Sequence, residues 1–109
     1  MSQEELFRLL SADIGKASLL SGDYSADERL AAFLLGIADR FAARGYSSRV
    51  FRLAMSRTDI ANYLRLAPET VSRVLRRLQR ERLIRVAGRE VELLDRAALA
   101  ALARNILHA

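Results

Sequence analysis

A chain of 109 residues, 51% hydrophobic and 28% charged, is sized for a single globular domain and lacks the apolar-poor composition of a disordered one. With no cysteine and one histidine, His108, it can form neither a disulfide nor a thiolate metal site, and a histidine-based triad lacks the convergent partners it needs. The formal net charge of +5 is local, because residues 1–48 hold five basic against seven acidic side chains whereas residues 49–94 hold eleven arginines against five acids.

Residues 3–14 predict a helix with Leu6, Phe7, Leu9, Leu10 and Ile14 largely on one face. So short a helix with so much apolar surface needs a cover. A second chain, an upstream domain and the chain's own core all remain open as that cover. Gly15 and the run Ser21-Gly22-Asp23 interrupt the pattern.

A second helix starts with the capping-box spacing Ser25-x-x-Glu28 and carries Leu30, Phe33, Leu34, Ile37 and Phe41 at three- and four-residue intervals. Gly45 is placed to end it in the left-handed conformation. Val50–Met55 alternates loosely and predicts a short strand. Ser56, with Asp59 three residues on, starts a short helix from Arg57 to about Arg65. A tight turn follows at Arg65–Ala67, and Pro68 then opens a third helix, reaching about Arg82, in the first turn where its missing N–H costs nothing.

Beyond it the period changes to alternation. Leu83–Val86 and Arg89–Leu93 flank Ala87-Gly88, which reads as a hairpin with glycine supplying positive φ. Asp95 is placed to cap a last helix through Ala97, Leu99, Leu102 and Ile106. The expected fold is therefore mainly α: a winged helix-turn-helix, with a three-helix core and a β-hairpin wing, followed by a C-terminal helix.

In this motif Ala61 is the small residue that permits close crossing, while Ile60, Leu64, Leu66, Val71 and Val74 anchor the helix pair. The polar remainder of the third helix is Glu69, Thr70, Ser72, Arg73, Arg76, Arg77 and Arg80. A helix can enter the DNA major groove with its first turns at the bases, where arginine grips guanine, glutamate accepts from cytosine and serine bonds either way. Glu69, Ser72 and Arg73 stand at i, i+3 and i+4 and are the candidate base readers. On an arbitrary helix Glu69 and Arg73 would be an ordinary surface ion pair; after this turn and before this hairpin, base reading is preferred. Arg57 and the hairpin tip, Gly88 with Arg89, are placed to flank the groove, and Arg76 and Arg77 are further candidates for phosphate contact that suit a solvated face equally well. Arg80, Arg82 and Arg85 suit either phosphate contact or a solvated face.

At these residues the sequence resembles a known family. The run Phe51–Leu64, then Glu69-Thr70-Val71-Ser72-Arg73, with the upstream Glu28–Phe33 and Arg40-Phe41-Ala42-x-Arg44-Gly45, is similar to the C-terminal DNA-binding domain of the CRP/FNR family of bacterial transcription regulators, the FNR branch above all. The resemblance implies that Glu69, Ser72 and Arg73 read TTGAT-type half-sites arranged as an inverted repeat, and that Arg57 and Thr70 contact phosphates. It makes residues 1–22 the end of a dimerisation helix with its loop, and residues 23–109 the DNA-binding domain. The expected partners are double-stranded DNA and a second copy of the chain, with RNA polymerase a further candidate.

The sequence departs from the family in three ways. Arg65 stands where the turn often has glycine, so the backbone there either avoids positive φ or is strained. Pro68 directly precedes Glu69. The family's β-roll sensor does not occur among these residues, so no cofactor is expected here. No stretch reaches the roughly 20 apolar residues of a membrane span, and Glu4 and Glu5 are unlike a signal peptide, so the expected location is cytoplasmic. No arrangement of nucleophile, base and metal ligands points to an enzyme. The rival reading is an interaction module whose helix-turn-helix docks on another protein, such as RNA polymerase, without reading DNA.

Overall fold

The computed structural model describes residues 24–104. The helix expected over 3–14, the residues up to Asp23 and the continuation of the last helix expected through Ile106 lie outside the described residues. Within them the order is α1 (Ala26–Ala43), β1 (Val50–Arg52), α2 (Arg57–Leu64), α3 (Pro68–Arg80), β2 (Ile84–Ala87), β3 (Glu90–Leu93) and α4 (Arg96–Leu102).

Helix α1 begins where its capping box predicts. The Glu28 N–H donates to Ser25 Oγ at 3.2 Å, and the Ser25 N–H donates to Glu28 Oε1 at 3.1 Å. Such a cap contributes about 1 kcal/mol. The helix ends in a Schellman motif, with the Gly45 N–H on the Ala42 carbonyl and the Tyr46 N–H on the Phe41 carbonyl. Gly45 has φ +83°, and the Phe41 and Tyr46 rings meet edge to face at 5.9 Å. Its face from Leu30 to Ala38 forms the spine of the core, with Leu30, Phe33 and Leu34 fully buried. Each large apolar side chain buried there contributes about 1.5–3 kcal/mol.

The expected hairpin forms, and β1 joins it in a three-stranded antiparallel sheet of order β1-β3-β2. Phe51 and Val86 both pair with Val91. Phe51, Ile84, Val91 and Leu93 point inward, which is the alternation a half-buried strand requires. The hairpin tip lies one residue later than the spacing suggested. Ala87 pairs with Glu90, leaving Gly88 and Arg89 as the two-residue loop, with Gly88 at φ +61° as a glycine-first hairpin turn needs.

Helix α2 repeats the capping box, with the Asp59 N–H on Ser56 Oγ at 3.1 Å and the Ser56 N–H on Asp59 Oδ2 at 3.4 Å. At its other end the choice left open at Arg65 resolves to strain, because Arg65 is left-handed at φ 55°, ψ 48°. The Leu66 N–H then reaches back to the Ala61 carbonyl at 2.8 Å, and the chain turns through Ala67 into Pro68. Arg82 repeats the device after α3. At φ 61° it lets the Leu83 N–H donate to the Leu78 carbonyl at 2.9 Å, which ends α3 at Arg80, two residues before the expected end. The side chain of Asp95 caps α4 by accepting from the Ala98 N–H at 3.0 Å, and Leu99 seats that helix in the core.

Candidate nucleic-acid interface

The sequence of α3 divides it into faces. Val71, Val74, Leu75 and Leu78 form one buried stripe, and Ala61 of α2, with no exposed surface, permits the close approach beneath it. Opposite that stripe stand Glu69, Arg73, Arg76 and Arg80, at i, i+4, i+7 and i+11, all exposed. Thr70 and Arg77 occupy one flank and Ser72 and Gln79 the other, all half-buried. Of the three candidate base readers, Glu69 and Arg73 thus stand on the crest and Ser72 on its shoulder.

Pro68 at the first helical position and Glu69 at the second make the opening turn of α3, and the carboxylate suits the positive end of the helix dipole. The ion pair that spacing allows between Glu69 and Arg73 is not among the salt bridges of the described residues. Arg73 instead donates through Nη2 to Thr70 Oγ1 at 3.3 Å, so the Glu69 carboxylate is not tied to it. No side chain caps the helix at Ala67, which leaves its first turn open.

The phosphate candidates fall into two groups. Arg57 opens α2, half-buried beside the Ser56 cap, and Arg76 is exposed on the crest of α3. Arg77, by contrast, is paired. Its Nη2 donates to Asp27 Oδ1 in the first turn of α1. Gly88 and Arg89 are exposed at the wing tip, yet the Arg89 guanidinium donates to the Ala54 carbonyl. The Arg89 carbonyl in turn accepts from the Leu53 N–H at 2.7 Å. The wing tip is therefore bound to the segment that leads into α2.

Two further arginines have structural duties. Arg85 on β2 meets the Glu92 carboxylate at 3.2 Å, as does Arg49 ahead of β1, forming a cross-strand triad on the outer face of the sheet. Arg82 is held in the left-handed region at the end of α3.

Two residues that position the motif were not legible as such. Arg29, only 7% exposed, crosses from α1 to donate to the Leu64 carbonyl at 3.1 Å. It thereby places a cation at the C-terminal end of α2, where the helix dipole favours one. Asp27 read simply as an acid in a first helical turn, and nothing local indicates a partner fifty positions away. Among the described residues no group of three His, Cys, Asp or Glu side chains is placed to hold a metal ion. Nor is any helix there long and apolar enough to cross a membrane.

Comparison with known proteins agrees with this architecture. Residues 28–102 match the model of the Crp-like helix-turn-helix domain. The chain is 50% identical over 104 residues to the transcriptional activator protein anr of Pseudomonas aeruginosa, a match covering 93% of this chain and 43% of that protein. It is 43% identical over 106 residues to the fumarate and nitrate reduction regulatory protein of Yersinia pestis, covering 94% and 42%. Among solved structures, FixK2 from Bradyrhizobium japonicum superposes with a TM-score of 0.68 at 33% identity, covering 92% of this chain and 50% of that one. A CRP-family transcriptional regulator from Thermus thermophilus gives 0.64 at 31%, covering 95% and 56%.

The fold is a winged helix-turn-helix of the CRP type. The chain belongs to the Crp-like helix-turn-helix domain family, and it spans less than half the length of the curated relatives named above.

Proposed function

We propose that this chain is the DNA-binding part of a transcription regulator of CRP/FNR type, with α3 seated in the major groove of a TTGAT-like inverted repeat. The observation that carries this reading is the crest of α3, where Glu69, Arg73 and Arg76 stand clear of the core on a helix whose opposite stripe, Val71, Val74, Leu75 and Leu78, is buried. Glu69, Ser72 and Arg73 read base edges. Arg57, Thr70, Arg76 and the Gly88 backbone meet the phosphate walls on either side, joined by Arg77 and Arg89 where a phosphate displaces Asp27 and the Ala54 carbonyl from their guanidiniums. The relatives bear the names of transcription regulators, which favours a role without catalysis.

The active form is a cytoplasmic homodimer joined through the N-terminal helix. It places two copies of α3 about 34–36 Å apart, one turn of DNA. RNA polymerase is a further partner of that assembly.

Binding of the chain to a fluorescent palindromic TTGAT duplex and to its scrambled counterpart, at moderate salt, tests the reading. Tighter binding to the palindrome supports it. Equal affinity for the two removes the specificity, and a salt-insensitive association with polymerase in place of DNA would favour the protein-docking alternative.

A further inference from the structure

We infer that Asp27 is an internal competitor for DNA: its carboxylate occupies the Arg77 guanidinium that a backbone phosphate would otherwise take. This rests on the proposal that α3 enters the major groove. The pair joins the first turn of α1 to the middle of α3 across fifty positions of sequence, and both side chains remain partly open to solvent, at 42% for Arg77 and 32% for Asp27. It forms one wall of a cleft of about 370 Å³ bounded also by Thr70, Arg73, Arg76 and Arg80. Asp27 is the only carboxylate among the cleft's lining residues, facing four arginines there.

The sign of its effect follows from both ends of the binding reaction. Before DNA binds, Asp27 stabilises Arg77 in the paired position, so engaging a phosphate through Arg77 requires breaking that pair. After DNA binds, the carboxylate stays within a few ångströms of the incoming phosphate and repels it, since like charges at that range oppose each other even at high effective dielectric. Both contributions weaken binding, and neither depends on base sequence. An aspartate that merely oriented Arg77 towards DNA would act in the opposite direction.

The experiment is a salt series of binding isotherms on the whole chain, with the palindromic and the scrambled duplex. It compares the parent with Asp27→Asn, Arg77→Gln and the double variant, each checked by circular dichroism for an intact fold. Asp39→Asn is the charge-matched control, because it also breaks an ion pair, with Arg96, but on the far end of α1. Asp27→Asn is expected to tighten binding to both duplexes alike, about fivefold, as release of a partly exposed pair allows. Its log–log salt slope should steepen by at most about 0.9, the increment for one whole phosphate contact, because Arg77 meets a phosphate for only part of the time while Asp27 competes for it. In the double variant that gain disappears, and Arg77→Gln costs more affinity in the Asp27→Asn background than in the parent. An unchanged slope, weaker binding, an equal gain from Asp39→Asn, or a gain that survives loss of Arg77 overturns the inference. If no variant prefers the palindrome, the specificity reading falls while the slope comparison still decides the role of Asp27; a chain that binds neither duplex sinks both.

Discussion

Replacing Arg65 with glycine isolates the strain in the turn between α2 and α3. Arg65 sits at φ 55°, ψ 48°, where a Cβ atom crowds the backbone at a cost of about 1–2 kcal/mol. Glycine removes that crowding but brings extra freedom to the unfolded chain, which returns roughly 0.5–1 kcal/mol. The expected result of Arg65→Gly is therefore a net stabilisation of about 0.5–1 kcal/mol, or roughly 2–6 °C in melting temperature for a domain of this size. The Arg65 side chain is exposed, so little packing is lost to obscure the comparison. Urea unfolding followed by circular dichroism measures the change. Gly45→Ala is the matched inverse, because a Cβ built at Gly45 meets no atom within 4 Å and only its φ of +83° opposes a side chain. That variant should lose about 1 kcal/mol. A destabilised Arg65→Gly beside a neutral Gly45→Ala would refute the account of both helix ends.

Other expectations bear on recognition and packing. Arg73→Ala should relax preference at one base pair of a selected site at a cost of about 1–3 kcal/mol, read by competition with single-substitution duplexes. Arg57→Ala should weaken binding to every sequence alike and flatten the salt slope by about 0.9; a sequence-dependent loss would move Arg57 to the bases. Ala61→Leu forces three carbons into the fully buried contact between α2 and α3, so a loss of about 1–3 kcal/mol is expected in chemical denaturation.

Much of this architecture could be read from local chemistry. The two capping boxes at Ser25 and Ser56, Pro68 at a first helical position and Gly45 at a helix end each specify a boundary through groups three or four residues apart, and each boundary falls where those groups place it. What escaped depends on distance along the chain. Periodicity places Arg77 on α3 but says nothing of Asp27, and it cannot show Arg29 reaching the end of α2 or Arg89 reaching Ala54. The strand expected over Val50–Met55 is confined to Val50–Arg52, since so short a run carries little alternation and its stability comes from β3, some forty positions later. The two left-handed arginines show the reverse case, in which tertiary packing holds a backbone conformation that the residue itself disfavours.

The reciprocal latch at the wing tip sets a mechanical limit on the domain. Because Arg89 both gives and takes a bond with the Leu53–Ala54 segment, moving the hairpin away from the helix pair costs two hydrogen bonds. In the proposed complex those bonds favour one span between the tip and α3, to which the duplex conforms. DNA that bends readily should be gripped at less cost than a stiff tract of the same base contacts.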